Sequence, residues 1–333
     1  MTPLQHKCRT FSYVFMAFAV WLLLTRGLLA GFLAGLLVYS LVTIFSPHLY
    51  KLVGNNLARL IVVGIIGVLI VSGLVMLTWA GISFFKSESG SGQALLQKLA
   101  DIIETSRSEC PDWICSHLPD TSLELRSLIT EWMREHANEA KLIGADAGHT
   151  FVRVLLGMVV GAMISLSSLP PKLGALGSAL EQRISAFALA FKKVVFAQVK
   201  ISAINSVATG IYLVLVLPAF DIHLPFVKTL ILLTFLLGLL PIIGNLLSNT
   251  MLVTLTLPFG ITAAVGSLTF LIVLHKLEYF LNAKIIGNEI KSKAWELLIA
   301  MLFMESLFGL PGLALAPILY AYIKQELMTE QLV

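Results

Sequence analysis

The chain has 333 residues, of which 57% are hydrophobic and 13% are charged. A typical soluble domain has about twice this share of charged residues. The mean hydropathy of the chain is +0.89. The formal net charge of +4 is too small to suggest nucleic-acid binding, and basic residues in such a chain usually report membrane orientation. The presence of only three cysteines excludes a disulfide-dense secreted module. These values predict an integral membrane protein.

Four hydrophobic stretches in the first half predict membrane-spanning helices. Residues 11–24 and 27–45 flank a tight turn, which favours a helical hairpin over a cleaved signal peptide. Residues 60–85 run for 26 positions without a charged side chain. They correspond to about 39 Å of helix, against a hydrocarbon core of about 30 Å. The fourth stretch is 151–169, where Arg153 can extend to the membrane interface.

The long polar segment 86–148 contains eleven acidic and six basic residues. The spacing of its leucine and isoleucine residues predicts two amphipathic helices. Loops 47–59 and 170–200 are basic, so the positive-inside rule places them and the N-terminus in the cytoplasm and 86–148 outside. Cys110 and Cys115 lie in this external segment, where an oxidising compartment would favour a local disulfide. Their spacing does not favour a metal site.

Segment 170–200 predicts a cytoplasmic amphipathic helix. Phe187 and Phe191 belong to an apolar stripe that lies opposite Arg183 and Lys192. Contact with anionic lipid explains this pattern, and a moving linker between two halves of the protein explains it equally well. The predicted regions are N-terminal spans 1–85, external helices 86–148, the fourth span with the cytoplasmic helix 149–200, and a transport core 201–333.

Two hydrophobic stretches in the C-terminal half are broken in the middle. The stretches are 226–257 and 297–323, and each arm has about 15 residues or fewer, too short to cross a bilayer comfortably. Proline removes a backbone donor and glycine relaxes a turn, so the chain can reverse inside the membrane. The predicted tips are Pro241, Gly244, Pro311 and Gly312.

Full spans at about 201–219 and 259–281 precede the two broken stretches. This arrangement is typical of the inverted repeats of secondary transporters. The alternative is that proline and glycine kink two continuous helices. The predicted fold class is an all-α integral membrane bundle with two broken or re-entrant hairpins in an inverted-repeat C-terminal half.

Four segments of this half carry a resemblance to a known family. They are FAQVKISAINSVATGIYLVLV, LLPIIGN, KLEYFLNAKIIGNEI and GLPGLALAPILYAYIKQEL. In this order they resemble the autoinducer-2 exporter family of bacterial inner-membrane permeases, also called PerM-like permeases. The resemblance implies a multi-span transporter with cytoplasmic termini that forms homo-oligomers, with a pentamer among the candidates. Members are linked to export of autoinducer-2 or to exchange of sodium or lithium for protons.

Glu305 is the acidic residue inside the second broken stretch. A carboxylate within the membrane is costly and marks a candidate functional site, here for proton or cation coupling. A structural hydrogen bond or an interfacial position is the alternative. His275 and Glu278 lie near the end of the span 259–281. An imidazole there suits proton exchange, and a helix end at the interface explains the histidine equally well.

Other polar residues of the core have similar alternatives. Asn245, Ser248 and Asn249 follow the first predicted tip, where they either cap the broken helix or face the solute. Gln198, Ser202 and Asn205 share one helical face at the start of the fifth span. That position favours helix packing inside the bundle, with a place in the solute pathway as the alternative.

The leading prediction for function is a secondary transporter or permease for a small polar solute, or an exchanger of cations for protons. The sequence lacks GxxxxGK[ST], which argues against ATP coupling within this chain. The alternatives are a passive oligomeric channel and a membrane scaffold acting through the external helices. GxSxG and HExxH are also absent, so an enzyme is not expected. We expect no cofactor, metal or nucleic-acid partner.

Overall fold

The computed structural model describes residues 3–86, 127, 131, 134–167, 173–224, 227–239, 243–290 and 292–332. Within these ranges the secondary structure is helical and includes no strand. The predicted external helices between 87 and 133 lie almost entirely outside the described residues, as do Cys110, Cys115 and Pro241. The all-α prediction is therefore confirmed for the part of the chain that is described.

The α-helices are long and follow one another with short connections. They are α1 (Pro3–Thr25), α2 (Leu29–Val53), α3 (Asn55–Lys86), α4 (Ala137–Leu166), α5 (Ala175–Ile211), α6 (Val227–Gly238), α7 (Ile243–Thr256), α8 (Ile261–Ile290) and α9 (Ala294–Thr329). Six segments of the described chain are long and apolar enough to cross a bilayer: Gln5–Thr25, Leu29–Val53, Asn55–Met76, Gly144–Leu166, Ala175–Ala219 and Trp295–Thr329. The chain is a multi-pass membrane protein.

The described residues fall into two compact units, each made of separate chain segments. Unit 1 comprises Met1–Ser72, Ile143–Phe196 and Ile286–Val333, and unit 2 comprises Gly73–Leu142 and Ala197–Ile285. Unit 1 therefore contains α1, α2, the first part of α3, most of α4, the first part of α5 and all of α9. Unit 2 contains the rest of α5, the short helices α6 and α7, and most of α8.

In unit 1, α2 and α4 pack through glycine. A Cβ added at Gly157 would lie 1.9 Å from the carbonyl oxygen of Gly31, and one added at Gly161 would lie 2.1 Å from that of Gly35. Any side chain at these positions would push the two backbones apart. Small residues four apart on both helices allow this close approach, which is a common way to join helices in a membrane.

The connections of the N-terminal helices are shorter than predicted. The predicted loop 47–59 is helical on both sides of Gly54, whose φ of +79° lets the chain reverse at one residue. Val38, Val42 and Val62 form the small core that joins α2 to α3.

Helix α5 corrects the prediction for segment 170–200. We predicted a separate cytoplasmic helix before the fifth span, but Ala175–Ala219 is one continuous helical segment, with a π-helical turn at Tyr212–Val216. No glycine or proline interrupts it between Ser178 and Thr209, so the change in charge pattern does not break the helix. Arg183, expected on the charged outer face, is instead only 1% exposed.

Helix α9 is a hairpin rather than one rod. Its backbone leaves helical geometry at Gly309, with φ +63° and ψ −146°, a conformation available essentially to glycine. Lys324 Nζ lies 2.7 Å from Glu296 Oε2, whereas a straight helix would hold these residues about 42 Å apart. The arms 294–308 and 310–329 therefore lie side by side. The reversal lies at the start of GLPG, two residues before the predicted tip residue Pro311.

Candidate functional site

A row of side chains on α5 holds α6 against it in unit 2. Gln198 Nε2 donates to the carbonyl oxygen of Gly238 at 2.8 Å, and the Ser206 hydroxyl donates to that of Ile231 at 2.8 Å. Between them, the Ser202 hydroxyl donates to the carbonyl oxygen of Phe235 at 2.5 Å. The donors rise along α5 while the acceptors descend along α6, so the two helices are antiparallel.

This row exists because a helix leaves its last carbonyls without partners. The carbonyls of Phe235 and Gly238 belong to the last turn of α6, where intrahelical donors run out. Gln198 and Ser202 supply donors to these two carbonyls, and Ser206, one turn further along the same face of α5, bonds to the Ile231 carbonyl within α6. Gln198 thus makes a packing contact between α5 and α6. The sequence analysis offered helix packing and a place in the solute pathway as its two interpretations. Ser202 shares the packing role with Gln198, and Ser206 is a further member that the sequence analysis did not single out.

Two more polar residues on this face of α5 each have a side-chain oxygen without a hydrogen bond. Asn205 is 4% exposed and Thr209 is 3% exposed. Neither Asn205 Oδ1 nor Thr209 Oγ1 has a hydrogen-bond partner among the described residues. One turn further along, the Tyr212 hydroxyl is within 2.9 Å of Ser267 Oγ on α8. The interior face of α5 therefore combines satisfied and unsatisfied neutral polar groups.

The first broken stretch forms the two short helices α6 and α7, which contact each other. Gly244 lies in the first turn of α7. Ser248 and Asn249 are half-buried on the same helix, while the side chain of Asn245 lies outside the described residues. Their roles as caps or solute ligands remain predictions.

On α8, one predicted pair of pathway residues is brought together. His275 Nδ1 lies 3.8 Å from Glu278 Oε2, and the glutamate side chain is 9% exposed against 47% for the histidine. The pair thus connects a buried carboxylate to an exposed imidazole. The separation is longer than a hydrogen bond, so the two groups interact as an ion pair when the imidazole is protonated.

The α9 hairpin of unit 1 is closed at its base by a cluster of polar side chains. Glu296 accepts hydrogen bonds from Lys324 Nζ at 2.7 Å and from the Tyr320 hydroxyl. Near the other end, the Cβ position of Gly312 comes within 2.1 Å of the carbonyl oxygen of Met304, so only glycine fits there. The hairpin is therefore fastened at both ends.

Glu305 lies on the first arm of this hairpin and is exposed. Its neighbours Leu302, Phe303 and Leu307 are 66%, 62% and 56% exposed. The carboxylate therefore belongs to a broadly apolar outer surface of unit 1 and not to the interior of that unit.

A buried ion pair that the sequence analysis missed joins α5, α9 and α1. The Arg183 guanidinium donates to the carboxylate of Glu326, and the Tyr13 hydroxyl donates to the same carboxylate at 3.2 Å. The guanidinium also stacks on the Tyr13 ring, 4.3 Å from its centroid. Next to it, Arg9 pairs with Glu330.

Of the two structural features that the sequence analysis missed, the glycine contact and the buried ion pair, only the first has a recognisable sequence pattern. The patterns GFLAG and GMVVG on α2 and α4 are visible GxxxG motifs. By contrast, Arg183 and Glu326 are 143 positions apart, and no local pattern links them. No group of three or more histidine, cysteine or acidic residues suited to a metal ion occurs among the described residues.

The chain was compared with families and with curated proteins. The sequence model of a family described as "AI-2E family transporter" matches residues 11–329. Of the side chains whose contacts are described in this section, this range excludes Arg9 and Glu330. No curated protein matches the chain.

Proposed function

The chain belongs to the AI-2E transporter family, and on that premise we propose that it is a secondary permease of the bacterial inner membrane. It moves a small polar solute, or exchanges Na+ or Li+ for protons. The observation that carries the proposal is the reversal of α9 at Gly309 between two apolar arms. Irregular backbone at membrane depth is stable only where protein or water covers it. Such breaks form the solute sites of secondary transporters.

In this proposal the pair α6–α7 and the α9 hairpin are re-entrant and enter the membrane from opposite faces. Support comes from the lengths of α6 and α7, 12 and 14 residues, which are too short to span about 30 Å of hydrocarbon. The row of donors on α5 supports a role for α6 as a packed gate, because its terminal carbonyls are satisfied away from water.

Proton coupling is proposed for His275 and Glu278, with Glu305 as a second candidate. The separation of 3.8 Å between His275 and Glu278 supports the pair, because one group is buried and the other is exposed. An exposed carboxylate on an apolar surface, such as Glu305, is costly in lipid. It therefore needs a water-filled path or a covering protein surface.

Orientation and assembly are also proposals. The positive-inside rule supports cytoplasmic termini and an external segment 86–148. A homo-oligomer is supported by Asn55–Met76, an apolar segment of which only 6% is buried within its own chain.

Flux measurements on purified protein in proteoliposomes test the proposal. A pH-sensitive dye inside the vesicles reports protons after NaCl, LiCl or KCl is added outside, and labelled polar solutes report permeation in parallel. We expect either a cation-specific proton response or saturable solute uptake. Unitary currents in a planar bilayer would instead identify a channel. Correctly inserted protein that moves neither ions nor solutes would contradict the permease.

Variants of α8 locate the coupling residues. If exchange is observed, we expect Glu278→Gln and His275→Gln to reduce the proton response to the level of protein-free vesicles. Lys276→Gln, an exposed neighbour on the same helix, serves as the matched control and should retain it. Exchange that survives Glu278→Gln but is lost in Glu305→Gln would transfer the role to the α9 hairpin.

A further inference from the structure

Two arginines meet at the end of unit 1 where α1 turns into α2. Arg26 follows the last residue of α1, and Arg153 on α4 donates from Nη1 to the carbonyl oxygen of Gly27 at 3.1 Å. The same nitrogen lies 2.9 Å from the position that a Cβ of Gly27 would take. Consecutive Cα atoms are 3.8 Å apart, so the side chain of Arg26 begins next to the guanidinium of Arg153.

Neither of these two charges is neutralised within the described part of the chain. Both side chains are exposed, and neither forms an ion pair with a described carboxylate. Arg153 uses one of its five N–H donors for Gly27, and the side chain of Arg26 has no hydrogen bond to a described residue. Like charges at close range repel each other, so an anion in contact with both would stabilise this turn.

Large apolar side chains surround the two charges. The helices on both sides of the turn cross the membrane, as Gln5–Thr25 and Leu29–Val53. The turn therefore lies at the level of the lipid headgroups, where tryptophan is also enriched. Four nearby residues of α1, α2 and α4 are between 39% and 61% exposed: Trp21, Leu28, Phe151 and Leu156. A ligand that combines an anionic group with hydrocarbon fits both parts of this surface.

We propose that Arg26 and Arg153 bind the phosphate of an anionic phospholipid, such as phosphatidylglycerol. Guanidinium groups bind phosphate oxygens through paired N–H donors, and these bonds are charge-assisted. Helix α2 begins at Leu29 without a side-chain cap, so the partial positive charge of its N-terminus adds to the attraction of the two arginines. The inference does not depend on the proposed permease function.

The net charge of the site favours an anionic headgroup over a zwitterionic one. Phosphatidylcholine carries a quaternary ammonium close to its phosphate, and two neighbouring arginines repel that cation. The headgroup of phosphatidylglycerol ends in an uncharged glycerol and has no such cation. Inorganic phosphate has the charge but no acyl chain, so it gains nothing from the exposed side chains of Trp21 and Leu156.

Fluorescence of Trp21 measures this preference. In full-length protein with the four other tryptophans replaced by phenylalanine, Trp21 is the reporter one turn away from the site. The protein is placed in bilayers of phosphatidylcholine and phosphatidylglycerol, in which one lipid at a time carries bromine on its acyl chains as the quencher. We expect phosphatidylglycerol to bind beside Trp21 about tenfold more tightly than phosphatidylcholine. Equal quenching by the two lipids at equal mole fraction would overturn the proposal.

Variants of the arginines locate the preference. We expect Arg26→Gln and Arg153→Gln each to lower it about threefold, and the double variant to abolish it. Arg153→Lys keeps the charge and should keep most of the preference. Lys141→Gln removes another exposed positive charge of α4 and is the matched control, which should behave like the wild type. A preference that persists in the double variant, or an equal loss in Lys141→Gln, would overturn the proposal.

Stability measurements separate lipid binding from a structural role of Arg153. Its bond to Gly27 contributes to the fold, so Arg153→Gln should lower the unfolding midpoint, whereas Arg26→Gln should not. The loss of lipid preference in a fully stable Arg26→Gln protein therefore supports the site. A retained preference in that variant would contradict a role for Arg26.

Inorganic phosphate identifies the source of the anion. We expect millimolar phosphate, added at constant ionic strength, to leave the quenching by brominated phosphatidylglycerol unchanged. Displacement of the lipid by phosphate would show a site for the free anion and overturn the assignment to phospholipid. These measurements do not require transport, so their outcome is independent of the flux assays on the permease.

Discussion

The two units hold their helices together by different means. Unit 1 uses a buried ion pair between Arg183 and Glu326 and close backbone contact at Gly157. Unit 2 uses neutral hydrogen bonds from α5 side chains, such as Ser202, to the carbonyls of α6. Charge-assisted bonds are roughly twice as strong as neutral ones. Neutral bonds to a row of carbonyls cost less to break, which agrees with the proposed role of α6 as a gate.

The largest expected effect is the loss of the ion pair in unit 1. Glu326→Leu leaves the Arg183 guanidinium buried without a counter-charge, so the free energy of unfolding should fall by about 3–5 kcal/mol. SDS unfolding in mixed micelles, followed by tryptophan fluorescence, measures this change. Glu330→Gln is the control, because its pair with Arg9 is partly exposed and should contribute at most about 1 kcal/mol.

The double variant Arg183→Met with Glu326→Leu sharpens this prediction. It replaces both charges by apolar groups, so most of the lost stability should return. Equal losses for Glu326→Leu and Glu330→Gln would contradict the view that unit 1 depends on a desolvated charge pair.

The next effect concerns the glycine contact of unit 1. Gly157→Ala places a Cβ 1.9 Å from the carbonyl oxygen of Gly31, so α2 and α4 must separate. We expect a loss of about 1–3 kcal/mol in the same unfolding assay. Gly67→Ala on α3, where nothing lies within 4 Å, should instead stabilise the helix by up to about 1 kcal/mol. If Gly67→Ala lowers the free energy of unfolding as much as Gly157→Ala does, the close contact between α2 and α4 is not the cause of the loss at Gly157.

A comparable effect is expected at the reversal of α9. Gly309→Ala forces a side chain into φ +63° and ψ −146°, at a cost of about 1–3 kcal/mol. Unfolding midpoints compared with Gly266→Ala, an α8 position with open space around it, measure this cost. If both variants unfold alike, the sharp reversal does not persist in the membrane.

The smallest effect belongs to unit 2. Ser202→Ala removes one neutral hydrogen bond, so we expect a loss of about 1 kcal/mol in the mixed-micelle assay. Ser306→Ala, whose hydroxyl bonds only within its own exposed helix, should change the free energy by less than about 0.5 kcal/mol. A loss at Ser202 as large as that at Glu326 would remove the distinction between the units.

The sequence predicted the membrane class and the helical content because long uncharged stretches have few alternatives. It also located the reversal of α9 to within a few residues, because GLPG interrupts an apolar helix. It placed the tip at Pro311 and Gly312, whereas Gly309 makes the turn. Position within such a motif depends on which residue takes positive φ, and this is decided by the packing of both arms.

Other features depend on partners that are remote in the chain. Arg183 was assigned to an outer charged face opposite the apolar stripe of Phe187 and Phe191, but its counter-ion lies on α9. The unpaired oxygens of Asn205 and Thr209 are recognisable only once the neighbours on α6 and α8 are known. Local pattern identifies which residues share a helix face, while only the assembled fold shows which of them are satisfied.

The α9 hairpin has a mechanical consequence. A single kinked helix can straighten or bend about its kink, so movement at one end is largely absorbed there. In this hairpin the arms are joined covalently at Gly309 and fastened at the base by Glu296 and Lys324. The closed loop resists opening and tilts as one lever. A displacement at the base is therefore transmitted to the tip along the arms, which from Glu296 to Gly309 measure 13 residues, or about 20 Å.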